Sequence, residues 1–136
     1  MRVFKFGGAS VKDAEGIKNV YDVLQKVGYE DILLVVSAMG KTTNALELVI
    51  KNYFEKSAEL NSSIQEIKKY HNQILLDLFE DDKADVFSAV NSQFSDLEYF
   101  LGHNKSPNYN FVYDQIVSYG ELISTTILSH YMNSCL

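Results

Sequence analysis

An α/β fold, with parallel strands joined through a helix, is what this 136-residue sequence predicts, and three observations predict it. Residues 3–6 read as a short strand that runs into the pair Gly7-Gly8. A helical period follows, between a capping Asp13 and a stopping Gly28. Ile32 to Val36 is then an unbroken apolar run rich in Val and Ile, the pattern of a strand buried on both faces of a parallel sheet. Strand, helix and strand make a βαβ unit, and its right-handed crossover puts both strand C-termini on one edge of the sheet. Open α/β sheets bind their ligands at that edge.

Composition narrows the function classes. The length is that of one domain with a real core, yet it is short for an α/β enzyme with two substrates, which hints at a part rather than a whole. With 46% hydrophobic and 22% charged residues the chain is an ordinary globular protein, and a formal net charge of −6 without any Lys/Arg run argues against a nucleic-acid partner. The single cysteine, Cys135, excludes an internal disulfide and fits a reducing compartment. No apolar stretch is long enough to span a membrane, and Gly7 and Gly8 interrupt what would be a signal-peptide core. A cytoplasmic protein is expected.

Taken in order, the first strand, Val3 to Phe6, ends in the loop Gly7 to Ser10. Glycines without a Cβ let an oxyanion approach the main chain, and Lys5 would add a mobile charge beside those amides. The other reading of the same residues is a tight turn. In the helix that follows, Ile17, Val20, Tyr21, Leu24 and Val27 recur at spacings of three and four and share a face.

The loop after Val36 reads Ser37-Ala38-Met39-Gly40-Lys41-Thr42-Thr43-Asn44. Gly40-Lys41-Thr42 reproduces the tail of a P-loop, but the first Gly of that motif would fall on Val35, so a P-loop is rejected. The dinucleotide fingerprint fails too, because the first loop has adjacent glycines. A helix opens here, capped by Thr43 or Asn44, with Leu46, Val49, Ile50, Tyr53 and Phe54 as its apolar face.

From Ser57 to Leu101 no strand signal occurs. Ser63 and Glu66 form a capping box, and Ile67, Ile74, Leu75 and Leu78 keep a helical period. The acidic turn Glu80-Asp81-Asp82, read as solvated surface, separates this helix from a second, marked by Val86, Phe87, Val90, Phe94, Leu97 and Leu101. A helical hairpin inserted in an α/β sheet, at about 57–101, is the simplest account, with Gly102 to Asn110 and Pro107 as its exit loop. His71 and His103 lie too far apart, with too few other ligand types, for a metal site. Phe111 to Met132 is helical again and contains Ser118-Tyr119-Gly120-Glu121, where Gly120 marks either a break or a close ligand approach. Glu121 beside it is either an acceptor for a bound amine or a surface charge that begins a new helical segment.

Lys5 to Val11, Val35 to Asn44, and Ser118 to Glu121 with Ser124 following together resemble the aspartokinases of the amino-acid kinase superfamily, in family order and at family-like separations. The resemblance implies a three-layer α/β/α sandwich of the carbamate-kinase type that transfers the γ-phosphoryl of ATP to the β-carboxylate of L-aspartate. That step opens the route to lysine, threonine and methionine. Position by position it implies that Lys5, Phe6, Gly7, Gly8 and Ser10 hold the phosphates, with Lys5 catalytic, and that Ser37, Thr43 and Glu121 hold aspartate, Glu121 meeting the ammonium. It implies ATP with Mg2+ bound through the nucleotide, and no protein metal site. Ala9 stands where the family has Thr, which removes one hydroxyl.

The later catalytic Asp, the nucleotide-binding half and the ACT regulatory domains of that family lie beyond Leu136. The chain is therefore expected to be the N-terminal part of the kinase domain, inactive alone and a homo-oligomer. The alternatives are a superfamily member acting on a glutamate- or carbamate-type substrate, or a non-catalytic binding module.

Overall fold

The structure, a computed structural model, describes residues 1–80 and 84–135. Two strands, β1 (Arg2–Phe6) and β2 (Ile32–Val36), pair in parallel with Arg2 opposite Ile32 and Phe6 opposite Val36. Between them runs α1 (Ala14–Val27). Its start is fixed by Asp13, whose carboxylate accepts from the Gly16 N–H at 2.8 Å, and its end by Gly28 at φ 84°, a conformation that an L side chain resists. Ile17, Val20 and Leu24 are buried as the period predicts, while Val27, the last residue of the helix, is exposed.

The sheet departs from expectation. Side chains alternate across a strand, and Phe4, Phe6, Ile32, Leu34 and Val36 turn toward the core. Val3, Leu33 and Val35 point the other way and stay 63%, 52% and 41% exposed. Burial on both faces is thus corrected to burial on one, because among the described residues nothing packs on the second.

Four helices complete the molecule: α2 (Thr42–Phe54), α3 (Leu60–Leu78), α4 (Asp85–His103) and α5 (Tyr109–Cys135). Their buried stripes meet in one core that includes Leu46 and Ile50 of α2, Ile67 and Leu75 of α3, Phe94 and Leu97 of α4, and Ile116 and Ile123 of α5. His71 of α3 is also fully buried, between the rings of Tyr70 and Phe94. Its Nδ1 bonds the Ile67 carbonyl at 2.8 Å, and burial lowers its pKa from the ordinary histidine value. Among the described residues no group of His, Cys, Asp or Glu is placed to hold a metal ion, and no helix is long and apolar enough to cross a membrane.

Several predicted boundaries move. The helix α3 starts before Ser63, which sits inside it and donates its hydroxyl to the Leu60 carbonyl at 2.7 Å, so the Ser63/Glu66 capping box does not form. A serine hydroxyl within a helix bonds backward to a carbonyl instead. The helix α4 continues through Gly102 to His103, and the following loop is tied by Asn104, whose amide donates to the Tyr53 hydroxyl at 2.9 Å. Gly120 does not break α5, which runs unbroken on both sides of it. Of the acidic turn, Glu80 is exposed, while Asp81 and Asp82 lie outside the described residues.

Candidate functional site

Parallel pairing of β1 and β2 brings the loops that follow them side by side. The Ser37 N–H donates to the Phe6 carbonyl at 3.0 Å, extending the ladder by one bond, and the Gly40 N–H donates to the Gly8 carbonyl at 3.0 Å. Gly8 is glycine because of this junction. A Cβ there would lie 2.7 Å from the Gly40 carbonyl oxygen and 3.0 Å from that of Ala38, both backbone atoms that cannot step aside.

Gly7 is different. A Cβ on it would meet nothing within 4 Å, and the residue is exposed, as are Ala9 and Ser10. The Ser10 and Val11 N–H groups close the turn onto the Gly7 and Gly8 carbonyls at 3.0 and 3.3 Å. The N–H groups of Gly7, Gly8 and Ala9 have no hydrogen-bond partner among the described residues. Lys5, exposed near the end of β1, makes no ion pair among them either. A cation and open amides beside a glycine turn are the donor set that a phosphate group requires.

The second loop is packed rather than open. Ala38, Met39 and Thr42 are buried, and Gly40 turns the chain at φ 54°. The Thr42 N–H and hydroxyl both donate to the Met39 carbonyl, at 3.0 and 2.6 Å, so the chain enters α2 at Thr42. Thr43 and Asn44 therefore lie inside the first turn and do not cap it, and Lys41 occupies the cap position without a side-chain bond. Ser37 and Thr43 are half-buried at the two ends of this loop.

The third segment arrives by helix packing. A Cβ on Gly120 would stand 3.0 Å from Ala38 Cβ, 3.1 Å from Leu46 Cδ1 and 3.4 Å from Thr42 Cγ2, so this glycine lets α5 lie directly against the second loop and the start of α2. Glu121, next in the helix, is exposed beside that contact. It begins no new helical segment, since α5 passes straight through it. The fold thus gathers at one sheet edge the backbone segments that carry Lys5, Phe6, Gly7, Gly8, Ser10, Ser37, Thr43 and Glu121.

Sequence reasoning passed over Tyr70, whose hydroxyl donates to the Lys12 carbonyl just after the first loop. It flanks the apolar stripe of α3 one turn after Ile67, and periodicity alone gives such a residue no partner across the fold. The buried hydroxyl of Thr42 was passed over as well, because the cap was placed one or two residues later.

The sequence model of the amino acid kinase family matches residues 1–135. Over 137 aligned residues the chain is 34% identical to aspartokinase 1, chloroplastic, of Arabidopsis thaliana, which takes in 97% of this chain and 23% of that protein. Among solved structures, E. coli aspartokinase III in complex with lysine and aspartate, in its T-state, superposes with a TM-score of 0.81 at 22% identity, over 99% of this chain and 29% of that one. The same enzyme with aspartate and ADP, in its R-state, gives 0.76 at the same identity and coverage. What is shared with these structures is the α/β fold predicted from the βαβ unit. The chain spans 23% of the length of the first of these proteins and 29% of the solved one.

Proposed function

Because the chain belongs to the amino acid kinase family, we propose that it builds the aspartate and phosphate side of an aspartate kinase, which transfers the γ-phosphoryl of ATP to the β-carboxylate of L-aspartate in lysine and threonine biosynthesis. The observation that carries this reading is the meeting of three separate motif segments at one sheet edge, through the Gly40 to Gly8 bond and the packing of Gly120 on Ala38 and Thr42. Relatives with aspartokinase names, and a structural neighbour that holds aspartate and ADP, supply the substrate class.

The open turn fits a phosphate. Bound Mg-ATP supplies the phosphoryl group, with the metal held through the nucleotide. Phosphoryl transfer asks the protein for alignment and charge stabilisation rather than covalent chemistry. Lys5, exposed and without an ion pair among the described residues, neutralises charge on the phosphates while the amides around Gly7, Gly8 and Ala9 orient them, with Phe6 and Ser10 in the same segment. Ser37 and Thr43 hold the amino acid, and Glu121 meets its ammonium.

We place this protein in the cytoplasm, and assign it a homo-oligomeric state. The exposed apolar face of Val3, Leu33 and Val35 supports association, since such a surface is stabilised by covering it.

Since the chain is expected to be inactive alone, the test is acyl phosphate formation by the chain joined to a nucleotide-binding half of the family, trapped with hydroxylamine in the presence of Mg-ATP. Aspartate should give the hydroxamate in clear preference to glutamate. A preference for glutamate would move the protein to another branch of the family, and product from neither would make it a binding module.

A further inference from the structure

The two ligand loops are also held from outside the sheet. Tyr70 reaches from the third turn of α3 across a cleft of about 180 Å3 lined by Lys41, Thr42, Ala45, Glu66 and Ile67. Its hydroxyl donates to the Lys12 carbonyl. The same oxygen lies 2.5 Å from where a Cβ on Gly40 would stand, and Cζ lies 3.4 Å from that point. The tip of the ring therefore fills the space a side chain at position 40 would take, between the end of the first loop and the turn of the second.

We propose that Tyr70 is a positioning residue that locks the chain leaving the first loop, at Lys12, against the second loop, at Gly40, and so sets the spacing between the phosphate-binding amides and the aspartate-binding segment. The proposal rests on the reading that these loops form the substrate site. One fact gives the lock its rigidity. The helix that carries Tyr70 is anchored by the buried Ile67, His71 and Ile74, so the phenol projects from a fixed base.

Tyr70 touches no reacting atom, so the test must separate loop geometry from general stability. In Tyr70→Phe the ring and its packing remain while the hydrogen bond is lost. A neutral hydrogen bond of about 0.5–1.5 kcal/mol corresponds to a change of roughly twofold to tenfold in a local equilibrium. Hydrogen exchange of the native protein should quicken by that factor in peptides covering residues 8–12 and 37–41, with peptides from the centres of α4 and α5 unchanged. The dissociation constant for aspartate should rise by a similar factor, at a thermal midpoint close to that of the parent. Exchange unchanged at both loops would overturn the lock. Exchange that quickens while aspartate affinity stays at the parent value would overturn the positioning role. If the parent itself binds no aspartate while both loops still respond, the lock stands and the site reading is what fails.

Discussion

The two loops at the sheet edge have similar polar, glycine-containing sequences but opposite physical characters. The first, Gly7 to Ser10, is exposed except at Gly8, with the amides of Gly7, Gly8 and Ala9 and the nearby Lys5 free of partners among the described residues. The second, Ser37 to Thr42, is buried at Ala38, Met39 and Thr42, with Thr42 bonded back to Met39, the Ser37 and Gly40 amides bonded to Phe6 and Gly8, and its glycine filled against by a tyrosine. The difference teaches that the first loop is open to a ligand through its backbone, while the buried middle of the second holds the first in place and leaves Ser37 and Thr43 half-buried at its two ends. Substitutions should therefore separate, with stability responding to the buried and jointed positions and chemistry to the exposed ones.

The largest effect is expected at Met39, which is fully buried. Met39→Ala leaves a cavity under the second loop and should cost about 2–5 kcal/mol in denaturant unfolding. A loss below about 1 kcal/mol would mean the loop is less of a scaffold than its burial implies. Lys5→Ala should do the reverse. With the nucleotide-binding half restored, removal of one electrostatic donor from a transferring group lowers turnover by about a hundredfold to a thousandfold, while an exposed lysine without an ion pair among the described residues changes stability by no more than about 0.5 kcal/mol. Normal turnover in Lys5→Ala would return that residue to the solvated surface.

The adjacent glycines sharpen the contrast within two residues. Gly8→Ala forces a Cβ against two backbone carbonyls, at 2.7 and 3.0 Å, and should destabilise by about 1–3 kcal/mol as the loops separate. Gly7→Ala meets open space and should stay within about 0.5 kcal/mol of the parent. Equal effects of the two in a thermal melt would remove the distinction between a glycine kept for the joint and one kept for access.

How much of this was legible in the sequence follows from the range of each interaction. Asp13, Gly28 and the run Ile32 to Val36 act through neighbours a few residues away, and the structure places them as read. Boundaries failed where a contact from elsewhere decided them. The entry to α2 is set by Thr42 folding back on Met39, and α5 keeps its course through Gly120 because helix packing against Ala38 and Leu46 outweighs the intrinsic cost of a helical glycine, about 1 kcal/mol. The bare face of Val3, Leu33 and Val35 has the same origin, since an apolar run records what a strand can pack against and not which face is covered. At the site, the motif residues were readable by type and order, but the reason for Gly8, Gly40 and Gly120 lies in partners between about 30 and 80 residues away in sequence. Tyr70 had no local sign at all.

The central claim is that the three segments make one aspartate site, with Glu121 at the ammonium, and it is tested most directly by calorimetric titration of L-aspartate into the purified chain and into Glu121→Gln. A charge-assisted hydrogen bond is worth about 1.5–3 kcal/mol, so the parent should bind and the variant should bind roughly ten- to a hundredfold more weakly, with an unchanged thermal midpoint. No binding by the parent, or equal affinity in Glu121→Gln, would contradict it.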